Sequence, residues 1–154
     1  MFDKPAGAAQ RFYVPQNLRC YERIESIEFI EKSHLYEQPS SAAYKPTENG
    51  SVVRLNYHDG RVFDENLNKE ETLEYLSKLN ENSLFDLDYS YRPIERFSLV
   101  DTIWRIKVCF TPNEDESVPE PYISEGDGCY PDCYKDLTDT LLRYDFPLPE
   151  SEQE

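Results

Sequence analysis

Three observations in this 154-residue chain predict an α+β fold, a single domain with a mainly antiparallel sheet and two helices. Short runs with apolar residues at every second position recur along the sequence, which is the period of a strand with one face buried. Two other runs space their leucines as one face of a helix does. Turn residues separate these runs, and no internal repeat is present, so strands broken by separated helices describe the chain.

Residues 1–17 hold Pro5, Gly7 and Pro15 around Phe12 and Tyr13, and read as an N-terminal arm. The segment Arg19–Tyr36 fits a strand through Ile27 and Phe29, although Leu18, Tyr21, Ile24 and Ile27 also step by three. Its β-branched and aromatic content favours the strand. Gln38–Gly50, with Pro39, Pro46 and Asn49-Gly50, is expected to be a loop. Val53, Leu55 and Tyr57 then alternate with Arg54 and Asn56, and Val62 and Phe63 return beyond Asp59-Gly60. That pattern predicts a β-hairpin closed by a two-residue turn.

Asn68 followed by Glu71 has the spacing of a capping box, and Leu73, Tyr75, Leu76 and Leu79 follow. A helix over 69–80 is expected, with those residues facing inward. Phe85, Leu87, Tyr89 and Tyr91 alternate with polar residues as a short edge strand closed by Pro93. The strongest strand signal is Val100, Trp104, Ile106, Val108 and Phe110, which share one parity and place Trp104 in the core. Thr111–Gly128 reads as an acidic loop, and a second helix is expected from Asp132 to about Tyr144 with Leu137, Leu141 and Leu142 inward. Pro147 and Pro149 forbid its continuation, so 147–154 is expected to be a disordered acidic tail beyond a domain at 18–146.

Composition bounds the function more than any motif does. Hydrophobic content is 38%, but 12 Tyr, 8 Phe and one Trp supply large apolar bodies for a core. No run approaches the ~20 apolar residues needed to cross a bilayer. Met1–Gln10 lacks the apolar stretch of a secretory signal. A cytoplasmic protein is therefore expected, with Cys20, Cys109, Cys129 and Cys133 reduced.

The net charge is −15, and it is unevenly placed. The first 63 residues hold eight acids and eight bases, so the whole excess lies from Asp64 onward. From Val108 to the end, thirteen acids face two bases, Lys135 and Arg143. Such a field repels nucleic acid and anionic membranes and attracts a basic protein surface.

Sites for chemistry are weakly indicated. His34 and His58 have no neighbouring nucleophile signature, and the spacing of Cys129 and Cys133 is not that of a zinc pair. Cys133, at a helix start, is a candidate for some thiol reactivity, opposed by nearby acids. Glu125, Asp127, Asp132 and Asp136 lack the spacing of a calcium loop. Five glycines form neither a phosphate-binding loop nor a dinucleotide fingerprint. No catalytic residue, metal site or cofactor is expected.

The pattern that carries functional weight is acid interleaved with aromatic. The expected partner-binding residues are Glu114, Asp115, Glu116, Glu120, Glu125, Asp127 and Asp132, with Tyr89 and Tyr91. Together they suggest a non-enzymatic interaction domain. It would inhibit a partner by occupying a basic, nucleic-acid-binding surface, as phage anti-defence and toxin-immunity proteins do. The partner would be a basic protein such as a nucleic-acid-processing enzyme, and neither nucleic acid nor membrane would be bound directly. The alternative is a structural or assembly factor that docks through the aromatic segment Phe85–Tyr91. The sequence leaves the oligomeric state open.

Overall fold

The computed structural model describes residues 21–33, 35–91 and 102–144. A 3-10 turn at Tyr21–Arg23 leads into β1 (Ile24–Ser33), β2 (Ser40–Thr47), β3 (Gly50–Asn56) and β4 (Val62–Asn68). Helix α1 (Lys69–Glu81), a 3-10 turn (Leu84–Asp86), β5 (Ser90–Tyr91), β6 (Thr102–Phe110), β7 (Tyr122–Asp127) and α2 (Tyr134–Leu141) follow. The seven strands form one sheet in the order β4-β3-β2-β1-β6-β7-β5. Every pairing is antiparallel except that of β5 with β7. The proposed arm 1–17 and tail 147–154, and also Cys20, His34, Pro93 and Val100, lie outside the described residues.

Strand alternation decides which face is covered. Ile27 and Phe29 of β1, Ala42 and Tyr44 of β2, Val53 and Leu55 of β3, and Trp104, Ile106 and Val108 of β6 are all buried. Both helices pack on that face, with Tyr75, Leu76 and Leu79 of α1 and Leu137 and Leu141 of α2 in the same core. The opposite face of the sheet carries no helix among the described residues.

Trp104 is fully buried, as expected. Its indole N–H donates to the Cys129 carbonyl at 2.9 Å, and its ring packs against Tyr91 and Tyr134. On the neighbouring strand, Gly126 lies directly under the indole. A Cβ there would collide with the Trp104 ring and the Cys129 carbonyl, so only glycine fits.

Helix α2 ends in a Schellman arrangement. Arg143 adopts φ 59, its N–H donates to the Thr140 carbonyl, and the Tyr144 N–H donates to Asp139. Two tyrosines take up further carbonyls at this end. Tyr75 Oη donates to Leu141 O at 3.0 Å and Tyr57 Oη to Leu142 O at 2.7 Å. Arg143 is buried, paired with Glu65 at 3.1 Å and stacked over the Tyr75 ring. Thus α2 crosses beneath the sheet from Trp104 to the β3–β4 hairpin.

Several elements differ from the sequence reading. Gln38–Gly50 is not a loop, because its core is β2, with Ser40, Ala42 and Tyr44 buried. Pro46 is tolerated because the β1 pairing ends at Tyr44 while the β3 pairing runs on to Thr47, leaving one side of Pro46 unpaired. Thr111–Gly128 contains β7, which buries Tyr122, Ser124 and Gly126. The β3–β4 turn has three residues rather than two. Tyr57 N–H donates to Arg61 O, Gly60 N–H donates to Tyr57 O, and Gly60 takes φ 93. That is a type I turn followed by a left-handed residue.

Helix α1 carries the expected capping box, with Asn68 and Glu71 bonded reciprocally at 2.8 and 2.9 Å. Leu73, however, is exposed. The inward position falls to Thr72, whose hydroxyl meets that of Ser51 at 2.7 Å. Phe85 and Leu87 are buried by the 3-10 turn rather than by a strand, and β5 is only Ser90–Tyr91. The second helix spans eight residues, shorter than 132–144, because its left-handed cap stops it before the prolines.

Candidate functional site

The seven predicted acids do not form one patch. Glu114, Asp115, Glu116 and Glu120 are exposed in the loop between β6 and β7, at one end of that strand pair. Asp127 is exposed at the other end, and Asp132 follows it before α2. The length of β7 separates the two groups by roughly 17 Å. That exceeds the ~8 Å screening length at physiological salt, so they act as separate charges. Glu125 lies between them on the open face of the sheet, 3.7 Å from Arg105.

The acidic loop is held in place. The Arg23 guanidinium donates to Thr111 Oγ1, to the carbonyls of Thr111 and Pro112, and to Asn113 Oδ1 at 2.9 Å. Beyond this clamp, Asn113 and Ser117 close a turn through backbone bonds, with Glu116 at φ 69. Asp115 Oδ1 accepts from the Ser117 hydroxyl and N–H. The Ser117 hydroxyl, followed by its N–H, holds the Asp115 carboxyl below its ordinary pKa, so it stays charged. The loop therefore presents its carboxylates on an ordered support.

The aromatic residues divide. Tyr89 is exposed, but Tyr91 is half-buried against Trp104 and its Oη accepts from the Asp88 N–H. With Phe85 and Leu87 in the core, the segment Phe85–Tyr91 supplies packing rather than a strip of exposed rings.

Charge is sorted by layer, which the linear sequence concealed. Residues 69–91 and 128–144, which carry the helices, hold nine acids: Glu70, Glu71, Glu74, Glu81, Asp86, Asp88, Asp132, Asp136 and Asp139. Four bases stand against them, Lys69, Lys78, Lys135 and the buried Arg143. The loop 111–121 adds four acids and no base. On the open sheet face, by contrast, Lys32, Lys45, Arg54, Arg105 and Lys107 balance Glu25, Glu28, Asp64, Glu125 and Asp127. The signal that would have found this is strand parity combined with charge, once β2 and β7 are recognised.

Cys109, Cys129 and Cys133 are free thiols. Burial pushes the Cys133 thiol up, and Asp132, Asp136 and Asp86 add to it, so burial together with the acids outweighs the backbone N–H that favours the thiolate. His58 stacks on Tyr36 at 3.8 Å between ring centres. It lies beside β3, four strand spacings from β7 and the cysteines that follow it, roughly 19 Å. Among the described residues no group of three or more His, Cys, Asp or Glu side chains is arranged to hold a metal ion.

Comparison with protein-family models, curated proteins and solved structures returns no match. Among the described residues no helix is long and apolar enough to cross a membrane.

Proposed function

We propose that this protein is a non-enzymatic interaction domain that inhibits a basic partner by occupying its nucleic-acid-binding surface, in the manner of phage anti-defence or toxin-immunity proteins. The observation that carries the reading is the ordered loop 111–121, which exposes four carboxylates with no base among them. Arg23 anchors that loop at its root. A carboxylate array fixed before binding loses little conformational freedom on docking, so more of its electrostatic attraction survives as affinity. The acids of the helical layer add to the negative net charge that favours encounter with a cationic partner. The partner's chemistry follows: a cationic groove, lined by Lys and Arg, built for a phosphate backbone. Direct binding of nucleic acid or of an anionic membrane would oppose this field.

A pull-down tests the reading. Immobilised protein is exposed to cell extract cleared of nucleic acid, and the retained proteins are identified at about 50 mM and about 500 mM salt. Nucleic-acid-processing proteins should be held at low salt, released at high salt and displaced by added duplex DNA. A variant with Glu114→Gln, Asp115→Asn and Glu116→Gln should retain much less. Salt-resistant retention that DNA does not disturb would refute the proposal.

A further inference from the structure

The open face of the sheet carries one row of side chains whose charges are antisymmetric about its centre. The pairings place Asp64 opposite Arg54, Arg54 opposite Ala43, Ala43 opposite Glu28, and Glu28 opposite Lys107. Read across β4, β3, β2, β1 and β6, the row is acid, base, alanine, acid, base. Within the monomer these charges are poorly used. Arg54 and Asp64 stand 3.7 Å apart with more than half of each side chain exposed. Glu28 and Lys107 form no ion pair with each other.

We propose that this face docks on the same face of a second copy of the chain, with a twofold axis lying along β2. Rotation about such an axis exchanges positions equally far to either side of Ala43. Arg54 of one copy then meets Glu28 of the other, and Asp64 meets Lys107, each pair occurring twice. Ala43 meets its own counterpart, and its small side chain floors two shallow troughs of about 290 Å³ and about 320 Å³ that share Glu28. A small-residue floor lets two sheets approach to the ~10 Å of a face-packed pair. The ~30° crossing angle of such packing displaces the inner pairs by ~2.5 Å and the outer ones by ~5 Å, within reach of long side chains.

The placement of charge agrees. Two copies at −15 repel through their helical layers and loops, whereas this face holds five bases against five acids and is neutral. Ile30, beside the row, adds an exposed apolar side chain. The five-strand row projects to roughly 500 Å² per copy. That is below the ~800 Å² of a standard interface, so the dimer should be reversible, with Kd in the micromolar range. The pairing leaves the acidic loop clear of the interface and would give each assembly two copies of it.

Sedimentation of the full chain over about 1–100 μM tests the proposal. The wild type should pass from monomer to dimer in that range. Glu28→Lys and Arg54→Glu should each weaken the dimer ~10-fold or more, because each sets like charges face to face. Mixed in equal amounts, the two single variants should regain a dimer, since the introduced lysine meets the introduced glutamate and the native Arg54 meets the native Glu28. Loss of folding cannot produce that recovery. Lys45, on β2 and hence close to its own counterpart, opposes association, so Lys45→Gln should tighten the dimer. A wild type monomeric at about 100 μM would overturn the proposal, and so would single variants that dimerise as well as the wild type.

Discussion

Trp104 organises the core through three dependencies, and each makes it sensitive to a small change. Its ring fills space between β5, β7 and α2, its N–H satisfies the Cys129 carbonyl, and Gly126 makes room for it. Truncation by Trp104→Ala should cost ~3–5 kcal/mol in chemical denaturation, and wild-type-like unfolding would show that the ring is not in the core. Gly126→Ala should also destabilise, through overpacking of the indole by ~1–3 kcal/mol. Tyr57 gives a pH signature. Burial first, with Tyr144 beside it, pushes its pKa up to about 12. Because the folded value is raised above the ordinary 10, the unfolded chain ionises first. The contribution of Tyr57 is therefore whole below about pH 10 and is lost as pH climbs towards about 12. The melting temperature should fall between about pH 10 and about pH 12. The fall should be smaller in Tyr57→Phe, which also loses the hydrogen bond to Leu142. Equal falls in the two proteins would exclude Tyr57 as the source.

At the scale of elements, α1 was legible because its signal is local: Asn68 and Glu71 cap it as their spacing requires. Asn68→Ala should accordingly cost ~1 kcal/mol. The strands β1 and β6 were legible for the same kind of reason, since parity alone marks Phe29 and Trp104. Missing from the sequence reading were β2 and β7. Each hides its buried positions in small or polar residues, Ser40 and Ala42 in one and Ser124 and Gly126 in the other. Their burial is dictated by partners distant in sequence, so hydropathy cannot report it. Leu73 failed for a related reason. A helix against a sheet exposes whichever side the sheet leaves open, and Ser51 draws Thr72 inward instead. The end of α2 shows tertiary contact overriding local preference. A left-handed residue there is normally glycine, yet Arg143 is held by Glu65 and Tyr75. Arg143→Gly relieves ~1 kcal/mol of backbone strain but leaves half-buried Glu65 without this partner, so a net loss of about 2 kcal/mol is expected in denaturation. A more stable variant would contradict that assignment.

For the whole molecule, the sequence showed that acids concentrate after Asp64 but not that folding sorts them by layer. Only the pairing of β6 with β7 reveals that Glu114–Glu116 and Asp132 lie at opposite ends, and that Glu125 is drawn to Arg105. The proposed function accordingly narrows from seven acids to the anchored loop. Its central claim is that this loop supplies the electrostatic contact with a basic partner. The most direct test is the association constant for the retained partner, followed from about 50 mM to about 500 mM salt. The wild type is compared with the Glu114→Gln, Asp115→Asn, Glu116→Gln variant and with a Glu70→Gln, Glu74→Gln variant of α1. All three should fold alike, since exposed substitutions usually shift stability by under ~0.5 kcal/mol. The account predicts a steep salt dependence for the wild type, a much weaker and flatter one for the loop variant, and a small change for the helix variant. Equal affinity of all three at low salt would contradict it.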